Sequence, residues 1–138
     1  MEKISKKQIN SAMVFFRQSL FDDRPRLGMN TIVDVRVKKN NGADGWCEVE
    51  DDDRRPREFL ILLEKSLDEL SLLYTLAHEM VHVWQFATGR LKHMADGGWK
   101  YQGKKYSSDT PYIERPWEGE AYEKEQELVS LWLNRNTT

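Results

Sequence analysis

Leu73-Tyr74-Thr75-Leu76-Ala77-His78-Glu79-Met80-Val81-His82-Val83-Trp84 is the stretch on which the reading of this chain turns. At about 100° per residue, Ser71, Thr75, His78, His82 and Gln85 fall on one polar stripe of a helix, while Leu72, Leu73, Leu76, Met80, Val83 and Trp84 cover its rear and flanks. Histidines four residues apart lie one turn apart on the same face, so both imidazoles can reach a single metal ion. Glu79 can touch water on such an ion. Zinc in this arrangement lowers the pKa of its bound water, and the glutamate takes the proton as general base. A merely solvated stripe in so charged a chain should be rich in Lys and Glu, and this one has only Glu79 at its margin.

Upstream, Ser66-Leu67-Asp68-Glu69 reads as a capping box opening this helix, which runs to about Ala87 with Gly89 as a left-handed C-terminal cap. The segment from about 6 to 21 has Ile9, Ala12, Met13, Phe16 and Leu20 at helical spacing, broken by Pro25 and Gly28. Thr31 to Lys38 alternates as a half-buried strand. Gly45 to Glu50 and Arg57 to Glu64 read as two more. With a turn signal at Asn40-Asn41-Gly42 they suggest an antiparallel meander. Asp51-Asp52-Asp53-Arg54-Arg55 reads as a solvated loop tip. Residues 89 to 112 read as an ordered irregular loop, and Pro116 opens a last helix to about Leu133. The expected architecture is α+β: N-terminal helix, three-stranded mostly antiparallel sheet, active-site helix, long loop and C-terminal helix.

A hydrolytic zinc site takes a third protein ligand and keeps a fourth position open. Within Pro116-Trp117-Glu118-Gly119-Glu120-Ala121-Tyr122, Glu118 lies among Ala121, Tyr122, Leu128, Val129 and Trp132 on one face, whereas Glu120 points away with Glu123 and Glu127. A glutamate on an apolar face is costly unless paired or bound to metal. Glu118 is therefore the favoured third ligand, with Glu120 and His93 as alternatives. Glu125 shares the inner face, either as an ion-pair partner or as the acceptor that orients a ligand histidine. Tyr122, Tyr112, Tyr106 and His93 are candidate donors to an oxyanion, with Tyr122 the residue chosen. Cys47 reads as a small residue in a hairpin strand, with capping of the zinc as the alternative.

These motifs resemble those of zincins. The His78–His82 motif with Glu118-Gly119-Glu120-Ala121 downstream resembles the glutamate-type zincins, the gluzincins, including the small minigluzincins. Tyr122 stands where their helical pattern has Asp or Asn. Thr88 excludes the metzincin arrangement, which needs a histidine at that position. The stretch 73–84 also resembles SprT-like protease domains, of which Gly97-Gly98-Trp99-Lys100 is a loose echo. Trp99 to Tyr112 and Pro116 to Ala121 resemble small phage-type proteins with a peptidase motif. The resemblance implies a zincin-like fold and zinc-dependent peptide-bond hydrolysis, with His78, His82 and Glu118 on the metal, Glu79 as base, and an extended substrate paired to the strand at 57–64.

Composition sets the limits. A chain of 138 residues fits one domain, 1–138. A formal net charge of −2 argues against non-specific nucleic-acid binding as the main activity. By the SprT likeness, Arg90, Lys92, Lys100, Lys104 and Lys105 beside Trp99, Tyr101 and Tyr106 keep nucleic acid open as a partner, next to a protein or peptide substrate. A non-catalytic zinc-stabilised binding module is the other alternative. One cysteine excludes an intrachain disulfide. The longest aliphatic run, Phe59 to Leu63, is far too short to span a membrane, and no signal-like stretch follows Met1, so a soluble cytoplasmic protein is expected.

Overall fold

In the computed structural model, which describes residues 4–39, 42–51 and 55–135, the chain opens with helix α1, Lys6–Leu20. Its cap is reciprocal: the Gln8 N–H donates to Ser5 Oγ at 3.1 Å, and the Ser5 N–H donates to Gln8 Oε1 at 2.9 Å. Ile9, Ala12, Met13 and Phe16 are buried, as their spacing requires. The expected break at Pro25 is instead a short helix, α2, Pro25–Met29. Proline pre-sets the first helical φ. Gly28 is needed because a Cβ there would lie 2.7 Å from Phe21 Cβ.

Three strands follow, β1 (Ile32–Lys38), β2 (Gly45–Val49) and β3 (Glu58–Glu64). They do not form the expected meander. The order is β1-β3-β2, with β3 parallel to β1 and antiparallel to β2. The physical reason is apolar content. Phe59, Ile61 and Leu63 are buried on one face of β3, and Leu60 and Leu62 are half-buried on the other. Such a strand belongs in the centre, while β1 with Asp34, Arg36 and Lys38, and β2 with Glu48, suit the edges. A central strand has no free edge, so β3 cannot pair with a substrate as expected. Of the turn between β1 and β2, Asn40 and Asn41 lie outside the described residues. So do residues 52–54 of the charged loop, where Asp51 accepts the Arg57 N–H at 2.9 Å.

Helix α3 spans Glu69–Ala87. Its N-cap is Asp68, not the expected Ser66: Asp68 Oδ1 accepts the Ser71 N–H at 2.7 Å, while the Ser66 N–H is engaged in the preceding turn by Glu64 Oε2 at 2.8 Å. Gly89, with φ +78°, follows the C-cap Thr88 as expected. Arg57 Nη1 donates to the Ala87 carbonyl at 3.0 Å, placing a cation on the helix C-terminus. Leu76, Ala77, Met80, Val81 and Val83 are fully buried, so α3 is enclosed on most sides by α1, the sheet and the last helix.

The segment expected to be irregular is a second antiparallel sheet, β4 (Leu91–His93), β5 (Trp99–Tyr101) and β6 (Lys104–Tyr106), in that order. Gln102 and Gly103 form a two-residue hairpin turn with φ +49° and +85°. Three-residue strands carry too little alternation to register as strands in the sequence. A 3₁₀ turn at Tyr112–Glu114 leads into α4, Pro116–Leu133. Trp132 of α4 meets Phe15 and Phe16 of α1 edge to face, at 5.4 and 6.3 Å between ring centroids. The result is an α+β domain. Among the described residues no helix is long and apolar enough to cross a membrane.

Edge strand β2 packs tightly on α3. A Cβ at Gly45 would lie 2.4 Å from Thr75 Cγ2. Gly45→Ala should destabilise the fold by about 1–3 kcal/mol through overpacking. Adding Thr75→Ser removes the clashing methyl and keeps the hydroxyl, so thermal denaturation of the double variant should recover part of that loss.

Candidate metal centre

His78 and His82 stand one turn apart on α3, and Glu118 enters from the first turn of α4. Pro116 starts that helix immediately before buried Trp117, which fixes where Glu118 projects. His78 Nε2 lies 3.0 Å from Glu118 Oε1, and His82 Nε2 lies 3.1 Å from the same oxygen. The remaining ring nitrogens are engaged. His78 Nδ1 lies 3.0 Å from Glu125 Oε1, and His82 Nδ1 lies 2.8 Å from Gln85 Oε1. The amide of Gln85 is oriented by its own donations, from Nε2 to the Trp117 carbonyl at 3.0 Å and to Glu120 Oε1 at 2.9 Å.

These second contacts assign the tautomers. Glu125 and the Gln85 oxygen only accept, so each histidine carries its proton on Nδ1 and presents the Nε2 lone pair. Two nitrogen lone pairs and a carboxylate oxygen then face one point. Acceptors do not bond acceptors, so the arrangement needs a proton or a cation. The three ligand atoms lie within 4.8 Å of one another and form a group that could hold a metal ion. Separations of 3.0 and 3.1 Å are near the roughly 3.3 Å between neighbouring donors in a tetrahedral shell of about 2.0 Å radius. Two imidazoles and a carboxylate suit a first-row divalent ion.

Metal-free, protons fill this role. Burial alone would lower the His78 imidazole, but the Glu118 and Glu125 carboxylates outweigh it and raise it to about 9. Burial also opposes the charge on His82, and Glu118 again raises it. Burial would raise the Glu118 carboxyl, yet its hydrogen bonds to both histidines hold it well below the usual range. Glu79, also buried, is raised by desolvation, against the opposing pull of His82 and His78. It lies against Gly45 of edge strand β2.

Tyr112 donates to Glu118 Oε1 at 3.0 Å, and its hydroxyl lies 3.0 Å from that of Tyr122. Tyr122 packs on His78, 4.6 Å between ring centroids. Tyr106 lies against Trp117 instead, and His93 stacks on Phe86. His93 is not a member of the ligand group, and neither is Cys47, whose thiol burial and the Glu79 charge hold well up in its protonated form. The helical wheel mis-assigns Glu120. Its side chain is 13 % exposed, close to the 14 % of Glu118, because Arg90, just before β4, covers it with a two-pronged salt bridge. Gln85 is the residue of this cluster whose role the sequence leaves undefined. Its only signal is its place on the histidine stripe. No protein-family model, curated protein or solved structure matches the chain.

Two measurements follow from this geometry. Binding of a divalent ion at 100 times its dissociation constant should add about 2.7 kcal/mol of stability, read as a rise in Tm, and Glu118→Ala should abolish the rise. Because metal-free His78 is protonated up to about pH 9, loading at pH 7 should release about one proton or more. Calorimetric enthalpies would then scale with the ionisation enthalpy of the buffer.

Proposed function

We propose that this chain is a zinc-dependent metallopeptidase of the zincin type, with His78, His82 and Glu118 as ligands and Glu79 as general base. The observation that carries the reading is the convergence of two Nε2 lone pairs and one carboxylate oxygen beside a buried, raised glutamate. A glutamate as third ligand favours the gluzincin likeness over the SprT one. Bound zinc supplies Lewis acidity to water and to the scissile carbonyl. Glu79 takes the proton from the attacking water and passes it to the leaving amine. Its raised pKa brings it nearer the working pH of a base. The Tyr112–Tyr122 hydroxyl pair is the donor available to the developing oxyanion, with Tyr112 next to Glu118 and Tyr122 one hydrogen bond further out.

The substrate is a protein or peptide in extended form, and β2 is the strand suited to receive it. Asp44 O accepts from Glu64 N, and Glu50 N donates to Glu58 O, so even-numbered residues of β2 bond to β3. The N–H and C=O groups of Gly45, Cys47 and Val49 therefore face the open edge, next to Glu79. Nucleic acid is the less favoured partner. Trp99, Tyr101 and Tyr106 all pack around Trp117 and so form no free stacking platform for bases, and Arg90, one of the five cations, is paired with Glu120.

Glu79→Gln should retain the metal and lower hydrolysis of a fluorogenic peptide library by about 10²–10⁴-fold. Undiminished cleavage overturns the role of Glu79. A wild-type protein that binds zinc and cleaves nothing is instead a zinc-stabilised binding module.

A further inference from the structure

A groove of about 680 Å³ lies away from the metal centre, between β1 and the N-terminal ends of α1 and α3. Its apolar floor is made by Ile4, Ile9, Val35, Val37, Leu67 and Leu72. Leu72 is six residues before His78, about 9 Å along the helix, so the groove and the candidate metal centre use different turns of α3. The volume is in the range of functional binding sites, roughly 300–1,000 Å³.

Two further features say what fits it. The rim is cationic, with Lys6, Arg36, Lys38, Lys39 and Lys65 against one carboxylate, Glu69, in a chain whose net charge is −2. Asp34 pairs with Arg36 at 3.0 Å, so the positive field of the rim rests on Lys6, Lys38 and Lys39. One wall is also an open strand edge. Ile32 N donates to Arg57 O and Lys38 O accepts from Lys65 N, so the even-numbered residues of β1 bond to β3. The backbone N–H and C=O groups of Val33, Val35 and Val37 face outward, and no strand among the described residues pairs with them. Lysines alone can guard a bare edge against aggregation. Here they surround an apolar cavity, which a guard does not need.

We propose that this groove docks an extended acidic segment of a partner protein, which adds to the free edge of β1 and places alternate apolar side chains in the cavity. Main-chain hydrogen bonds give such a ladder its affinity, the pockets for alternate side chains give it selectivity, and the lysines face the acidic positions. An aliphatic anion would satisfy the cavity and the lysines but not the backbone groups of Val35 and Val37.

The test uses the full chain and a fluorescein-labelled peptide of alternating Glu and Val, read by anisotropy. Binding should weaken about tenfold or more between low salt and 0.5 M salt, and the matching Lys-Val peptide should not bind. Lys39→Glu, an exposed charge reversal, should weaken binding about tenfold. Val37→Pro removes an outward N–H and the valine side chain from the groove while sparing the hydrogen bonds to β3, and should weaken it too. Zinc loading and Glu79→Gln should leave binding unchanged, which separates this site from the peptidase reading. Absence of binding at about 1 mM, equal binding to the Lys39→Glu protein, or full displacement by dodecanoate with the Val37→Pro protein unaffected would each overturn the proposal.

Discussion

Two imidazole lone pairs and one carboxylate oxygen aimed at a single point constrain this molecule more than any other contact. The histidines come from α3 and the carboxylate from α4, so the pair of helices can hold only one register if the three are to meet. Behind them, Glu125 and Gln85 remove the remaining freedom by fixing which ring nitrogen is protonated. A buried carboxylate without a partner would cost several kcal/mol, and Glu118 avoids that cost only in this arrangement. Protons can serve at neutral pH, but they leave the cluster dependent on two raised imidazoles. A metal ion removes that dependence and ties the same helices together.

Helix α3 makes the constraint possible because it is enclosed nearly all round. A surface helix would let its histidines choose rotamers in solvent. Here Met80, Val81 and Val83 are fully buried, and the polar stripe looks onto α4 instead of water. The same enclosure places Glu79 against Gly45, where any larger residue would collide with Thr75. The absence of a side chain at one position of the edge strand thus leaves room for the glutamate. The proposed base and the proposed substrate strand are set by one close contact.

How far this was readable in the sequence depends on the range of each signal. The amphipathic period marks α1, α3 and α4, and a glutamate placed on an apolar face marks Glu118, because both are local statements about one helix. Glu125 follows from the same wheel. Strand order is not local. The apolar run Phe59–Leu63 shows that β3 is buried, but which neighbour lies on each side depends on how the chain crosses over, and the meander expectation fails there. Glu120 fails for a related reason. A helical wheel ranks positions against one partner face, and α4 has a second neighbour in the β4–β6 sheet, which brings Arg90 onto it. Asp68 took the cap from Ser66 because Glu64 holds Ser66 in the turn, a competition between two acceptable caps that spacing does not resolve.

A chain with 39 % hydrophobic and 32 % charged residues has to close its interior with limited apolar material, and its tryptophans show how it does so. Trp117 and Trp132 are buried, and Trp117 gathers Trp99, Tyr101 and Tyr106 around it at 5.1–5.9 Å. The outer aromatic faces are then covered by cations. Arg115 lies over Trp99 at 4.4 Å, Lys124 and Arg90 over Trp84 at 4.9 and 5.3 Å, and Arg135 over Trp132 at 3.4 Å. Aliphatic stems and cation–π contacts let charged side chains serve as the outer layer of the core. Arg90 joins this layer to the candidate metal centre, since the guanidinium over Trp84 also grips Glu120, which fixes Gln85 and through it His82. Arg90, the residue before β4, therefore orients a candidate ligand through Glu120 and Gln85, so the segment that leads into the second sheet supports the histidine face of α3.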